Sequence, residues 1–298
     1  MKKIIYIFWI IIFVSCILNK VSGQISQEWV QKYNGTGNNE DATQSMVVDS
    51  FGNVYVTGSS IGMGTSEDYT TIKYNSNGVQ QWVQRYNGPG NGSDYVSSMV
   101  VDSFGNVYIT GSSEGIGSRD DYATLKYNSN GVLQWVQRYN GPGNFFDNAT
   151  SMVLDSFGNV YITGRSSGID NYDYATIKYN NNGLQQWIQR YNGLDNSGGN
   201  GSSIAVDVLG NVYVTGSSIG IGTLWDYATI KYNSNGVQQW VQRYNGPGNS
   251  SDVCISIAVD FSGNVYVTGN SYGMENSDYA TIKYNSNGIE QWIQRYDG

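Results

Sequence analysis

Tryptophan recurs in this chain at positions 29, 82, 135, 187, 240 and 292, at intervals of 52 or 53 residues. The text between successive tryptophans is nearly the same each time. Asp49-Ser50-Phe51-Gly52-Asn53-Val54-Tyr55-Val56-Thr57-Gly58 returns from Asp102, Asp155, Asp207 and Asp260. Asp68-Tyr69-Thr70-Thr71-Ile72-Lys73-Tyr74 returns from Asp121, Asp173, Asp226 and Asp278. A period of this length marks a stack of identical supersecondary units, each too small to bury its own apolar face.

Each unit reads as four short strands, taking 45–49, 53–57, 69–74 and 80–86 in the first copy. Val, Ile, Tyr, Thr and Trp dominate these runs, as pleated structure prefers. No stretch after the first residues keeps an apolar 3.6-residue period long enough for a helix. The Asp-Ser-Phe-Gly-Asn and Asn-Ser-Asn-Gly sequences are tight turns. Asp and Asn bond their own backbone there, and Gly supplies a positive φ. Stacked four-stranded meanders predict an all-β fold: a β-propeller of five four-stranded antiparallel blades. The units run over about 35–88, 89–141, 142–193, 194–246 and 247–298. The tryptophan strand occurs six times and the other three occur five times, so 27–33 is an extra N-terminal strand. Three arrangements fit: five blades closed by themselves, a ring clasped by the extra strand, or a part of a larger ring.

The run Ile257-Ala258-Val259-Asp260-Phe261-Ser262-Gly263-Asn264-Val265-Tyr266-Val267-Thr268-Gly269 resembles the core of the SBBP repeat, named for the seven-bladed β-propeller. Asp278-Tyr279-Ala280-Thr281-Ile282-Lys283-Tyr284-Asn285-Ser286-Asn287-Gly288 is also similar to the delta-60 repeat. The resemblance covers about 27–298 and implies propeller architecture in an exported, bacterial-like protein. It brings no catalytic motif, and this chain departs from the family name in its blade count.

Residues 1–23 read as a secretory signal peptide: Lys2 and Lys3, an apolar run over 4–14, then Val21-Ser22-Gly23 before the cleavage point. The expected location is therefore secreted or cell-surface, with membrane attachment only through an uncleaved leader. Cleavage removes three lysines from a chain whose net charge is already −8. That balance argues against a nucleic-acid partner. The chain has no His, which removes Ser-His-Asp, Cys-His and His-metal chemistry. Cys254 is the one cysteine beyond the leader, so no internal disulfide is expected. No metal or cofactor motif is present; Asp49 and its equivalents lack the alternating acids of a calcium loop. Gly-rich loops lack the strand-to-helix context of a phosphate site.

Five equal copies of a charge are not what a catalytic site needs. Asp68, Lys73, Arg85 and their equivalents are therefore expected to make turn bonds and cross-strand ion pairs. In a meander the two kinds of tight turn share one rim, and the longer, variable connections share the other. Variation on one rim of a rigid scaffold marks that rim for recognition. Its copy-specific residues are the candidate ligand-binding set: Phe145, Phe146, Trp225, Arg119, Asp120, Arg165 and Asp170. Aromatic rings suit a sugar or a protein surface. Rim carboxylates Glu67, Asp147, Asp195, Asp252 and Glu275 are the alternative, as a polysaccharide-cleaving set. The function expected is that of a non-catalytic binding or structural module, with a purely architectural repeat segment of a larger surface protein as a further alternative.

Overall fold

A computed structural model describes residues 27–273 and 276–297. The predicted leader lies outside these residues. Among those described, no helix is long and apolar enough to cross a membrane.

The chain forms five four-stranded antiparallel sheets, each a meander in sequence order. Blade I holds β1 (Asp41–Val48), β2 (Val54–Ile61), β3 (Glu67–Tyr74) and β4 (Gln80–Tyr86). Blade II holds β5 (Asp94–Val101), β6 (Val107–Glu114), β7 (Asp120–Tyr127) and β8 (Leu133–Tyr139). Blade III holds β9 (Asp147–Leu154), β10 (Val160–Ser167), β11 (Tyr172–Tyr179) and β12 (Gln185–Tyr191). Blade IV holds β13 (Gly199–Val206), β14 (Val212–Ile219), β15 (Trp225–Tyr232) and β16 (Gln238–Tyr244). Blade V holds β17 (Val253–Val259), β18 (Val265–Tyr272), β19 (Ser277–Tyr284) and β20 (Glu290–Tyr296). The first strands of successive blades neighbour one another, so they are the innermost.

The first and second strands run longer than the residue pattern suggests. Gly58-Ser59-Ser60 reads as a loop, yet it continues β2. The reason is a bulge in β1 between Thr43 and Ser45. It aims the Ala42 carbonyl at Gly58, where a β carbon would overlap it. Glycine is thus required inside the ladder, and it returns at the same place in all five blades.

Four apolar clusters hold the blades together, one at each junction. Between blades I and II, Tyr55 and Tyr69 meet Val96, Met99, Ile109, Leu125 and Tyr127, with Trp82 and Tyr86 beside them. The other three junctions repeat this with the equivalent residues. Trp82 lies over Gly131, whose φ of +78° and 2.8 Å clearance to the ring leave no room for a β carbon. Polar bonds accompany the packing. Trp82 Nε1 and Lys73 Nζ both donate to the Ser129 carbonyl of the next blade, at 3.1 and 3.2 Å. Tyr69 donates its hydroxyl to the Ser112 carbonyl at 3.1 Å.

The repeated charges do what repetition implies. Arg138 Nη2 pairs with Asp121 at 2.9 Å and donates to the Ser113 carbonyl at 2.7 Å. Its Nη1 donates to the Tyr86 hydroxyl of the preceding blade at 3.0 Å. The ion pair recurs in every blade. Each is therefore a cross-strand tie; in blades II to V the arginine also links to the preceding blade's tyrosine, and in blade I Arg85 reaches Tyr33 of the N-terminal segment instead. Asp49 closes its own turn, accepting from the backbone of Phe51 and Asn53 and from the Tyr55 hydroxyl. Among the described residues no cluster of acids or cysteine could hold a metal ion.

The extra N-terminal segment takes a fourth strand's place without a ladder of its own: residues 27–35 pair with no strand. Trp29 lies against Tyr74 and Gly78, as Trp82 lies against Tyr127 and Gly131. Among the described residues, no strand of blade I packs against blade V as neighbouring blades pack. Tyr279 is 66% exposed, whereas its four equivalents are at most 1% exposed. Met46 is 65% exposed, whereas its equivalents are at 8% or less. The five blades form an arc with two free faces.

Candidate functional site

The long connections and the starts of the innermost strands share one rim, as the alternation of turns requires. Of the seven candidates, Arg119, Phe145, Phe146 and Asp170 lie in its loops. Asp120 and Trp225 instead open β7 and β15, and Arg165 lies within β10, paired with Asn148 and Tyr174. The strands are longer than the pattern suggests, so these three belong to the ladders.

The fold gathers the seven into three groups, not one. At the junction of blades II and III, Phe145 and Phe146 stand edge to face with centroids 4.5 Å apart. Arg119, from the β6–β7 loop, caps both rings, its guanidinium carbon 5.8 and 5.7 Å from the two centroids. Both rings remain partly exposed, so the group is a surface patch and not a core contact. Asp120 stands next to it. Its carboxyl is pushed above the ordinary carboxylate value by burial first, and then by Glu114 and Asp121. In blade III, Arg165 lies over the Tyr172 ring, 3.4 Å from its centroid. Asp170 accepts a long 3.4 Å bond from Asn196 across to the next loop. At the junction of blades IV and V, the Trp225 carbonyl accepts from the Asp252 backbone at 2.5 Å, and the residue is exposed.

The rim carboxylates are committed elsewhere. Asp147 is buried and accepts from the backbone of Gly141 and Ser167. Asp252 is buried and accepts from Gly246 and Tyr272. Both tie their own loops. Glu67 accepts from Ser93 in the next blade's loop, which holds its carboxyl below the ordinary value. Asp195 sits in a short 3-10 turn, Leu194–Asn196. Glu275 lies outside the described residues. Among the described residues, no group of three or more acids comes together.

The opposite rim carries a feature that the sequence reading passes over. Phe51, Phe104, Phe157 and Leu209 are exposed at one place in the short turns, and in the fifth turn the exposed Phe261 stands one position earlier. An apolar residue in the middle of a tight turn, repeated at the period of the chain, was the available signal.

The family model for the SBBP beta-propeller repeat matches residues 28–63, 81–117, 134–173, 186–222 and 239–274. The chain belongs to the SBBP family of beta-propeller repeats. Its matched units begin at the tryptophan strand, one strand out of phase with the blades, as the position of Trp29 requires. Among curated proteins none matches the chain. Solved structures share the fold at low identity. A polysaccharide lyase, an ulvan lyase bound to -[GlcA(1-4)Rha3S]-, aligns with a TM-score of 0.53 at 11% identity, over 85% of this chain and 70% of its own. A protein of unknown function from Dyadobacter fermentans aligns with a TM-score of 0.50 at 11% identity, over 82% and 78%. A eukaryotic initiation factor aligns at 0.49 and 8%, over 85% of this chain. The chain spans about half, 55%, of that factor's length. The likenesses to the lyase and to the Dyadobacter fermentans protein show the fold alone and nothing of this SBBP-repeat chain's chemistry.

Proposed function

We propose that this SBBP-repeat chain is an exported, non-catalytic binding module. Its long-loop rim recognises a carbohydrate or a surface protein at the junction of blades II and III. The observation that carries the reading is the Arg119–Phe145–Phe146 group. It is copy-specific, partly exposed, and combines two flat apolar rings with a forked cation. Rings of this kind stack on sugar faces or anchor a protein, and the guanidinium supplies directional donors. The commitment of Asp147 and Asp252 to their own loops, and of Glu67 to Ser93 of the next blade's loop, supports a binder over a hydrolase. Export rests on the leader-like residues 1–23.

The test is binding of the full chain to a glycan microarray, with a polysaccharide digestion assay run alongside. Phe145→Ala and Arg119→Ala should each weaken capture, Phe145→Ala by about thirtyfold if the ring is a central anchor. The melting temperature should stay unchanged, because the group lies on the surface. Equal capture by wild type and both variants rejects the assignment. Release of product that a carboxylate substitution abolishes would make the module an enzyme.

A further inference from the structure

The two free faces of the arc are the two halves of the junction that the chain builds four times internally. The outgoing face of blade V carries Ala258, Tyr266, Tyr279, Lys283, Trp292 and Tyr296. These are the counterparts of residues that blades I–IV bury in the next blade. Deprived of that cover, Tyr279 and Tyr296 lie nearly parallel at 19°, where the four internal pairs are tilted by 51° to 75°. The incoming face of blade I carries Met46, Val54, Val56, Ile72 and Tyr74, the counterparts of Met99, Val107, Ile109, Leu125 and Tyr127.

The polar groups match as well. At every internal junction a lysine and a tryptophan donate to one turn carbonyl: Ser129, Asn181, Ser234 and Ser286 in turn. Lys283 and Trp292 are the fifth such pair of donors, and neither has a hydrogen-bond acceptor among the described residues. The fifth acceptor of the series is the Ser76 carbonyl on blade I, which receives no such bond among the described residues. The Tyr122 hydroxyl donates to the Ala175 carbonyl; the equivalent acceptor for Tyr279 is Thr70. The Thr70 hydroxyl is buried there without a partner.

We propose that blade V of one copy docks on blade I of a second copy, forming a fifth junction of the kind already present four times. The occupant is a second copy of this chain because the free faces repeat the built interface residue by residue and bond by bond. The Trp29–Tyr33 segment holds the tryptophan and tyrosine places of that junction. It holds the tyrosine place loosely: Arg85 reaches the Tyr33 hydroxyl at 3.5 Å, against 3.0 Å for Arg138 to Tyr86. Beside the Trp29–Tyr74 contact, a groove of about 570 Å³ lined by Trp29, Met46, Val56 and Tyr74 stays open between the segment and the face. Docking exchanges Trp29 and Tyr33 for the partner's Trp292 and Tyr296. The contact is head to tail, so copies can add in series.

The experiment is sedimentation velocity of the full chain over a wide concentration range, with two exposed-site variants. Met46→Asp closes the head and leaves the tail; Tyr279→Asp closes the tail and leaves the head. Wild type should associate as concentration rises, each variant alone should stay monomeric, and an equimolar mixture should give one-to-one dimers. Trp29→Ala should shift association to lower concentration by removing the competing ring. A wild type and a Trp29→Ala chain that both stay monomeric overturn the proposal. So does a mixture that fails to pair while circular dichroism shows both variants folded. Concentration-independent protection of Tyr279 would mean closure within one chain and would equally overturn it.

Discussion

Tyr174 and Tyr279 stand in the same seven-residue phrase, Asp-Tyr-Ala-Thr-Ile-Lys-Tyr, in blades III and V. The first is fully buried and donates to the Ala228 carbonyl at 3.2 Å; the second lies open. Identical text thus gives a core residue in one copy and a surface residue in another. In a stacked repeat, burial belongs to the neighbour as much as to the residue, and the energy of a side chain is set by whether another blade follows.

The largest test of that contrast is chemical. Cys254 is buried in blade V against blade IV, and burial pushes its thiol up to about 12. Thr43 is its counterpart on the free face of blade I, and it is exposed. In native conditions Thr43→Cys should alkylate faster than Cys254 by on the order of a thousandfold, because the thiolate is the nucleophile. Comparable rates, measured by mass spectrometry, would break the comparison. Next comes the tyrosine pair itself. Tyr174→Ala should cost about 3–5 kcal/mol and Tyr279→Ala no more than about 0.5 kcal/mol in urea unfolding. Methionine gives a smaller version, with Met99→Ala costing about 2–4 kcal/mol and Met46→Ala about 0.5 kcal/mol or less.

The smallest effect is pH-dependent. Asp94, at the buried start of β5, has its carboxyl raised above 3.8, chiefly by burial. Between that ordinary value and the raised one, the folded chain holds more protons than the unfolded chain. Stability therefore falls as pH rises through the window, and the charge opposes folding fully above it. Asp94→Asn keeps an acceptor for the Gly88 amide and removes the charge. Its melting temperature should exceed that of wild type at neutral pH, and the gap should vanish below the ordinary Asp value. A gap independent of pH would assign the effect to something other than ionisation.

The blades were legible because Trp, Asp-Ser-Phe-Gly-Asn and Asn-Ser-Asn-Gly recur in register, and each has a local structural reason to do so. The ion pairs were legible because five copies of Asp68 and Arg85 argue against catalysis. Strand length was not: Gly58 looks like a breaker until the Ala42 carbonyl is seen to face it. Reading the strands too short moved Asp120, Arg165 and Trp225 from ladders into loops. The Arg119–Phe145–Phe146 group was half legible. Its members stand out by differing from their copies, but their meeting depends on two loops of different blades. The open faces were legible only as one of three arrangements, since Tyr279 and Tyr174 carry the same text.

The Asp49 turn has a bearing on how such a chain reaches its structure. Five almost interchangeable copies offer every strand four wrong partners of nearly equal fit. Asp49 binds only groups up to six residues away, in its own hairpin. Hairpins close in about 1–10 μs, faster than distant segments find each other. The carboxylate therefore commits the second strand to its own first strand before the competing copies arrive. By the time blades stack, the choice among them has already been made.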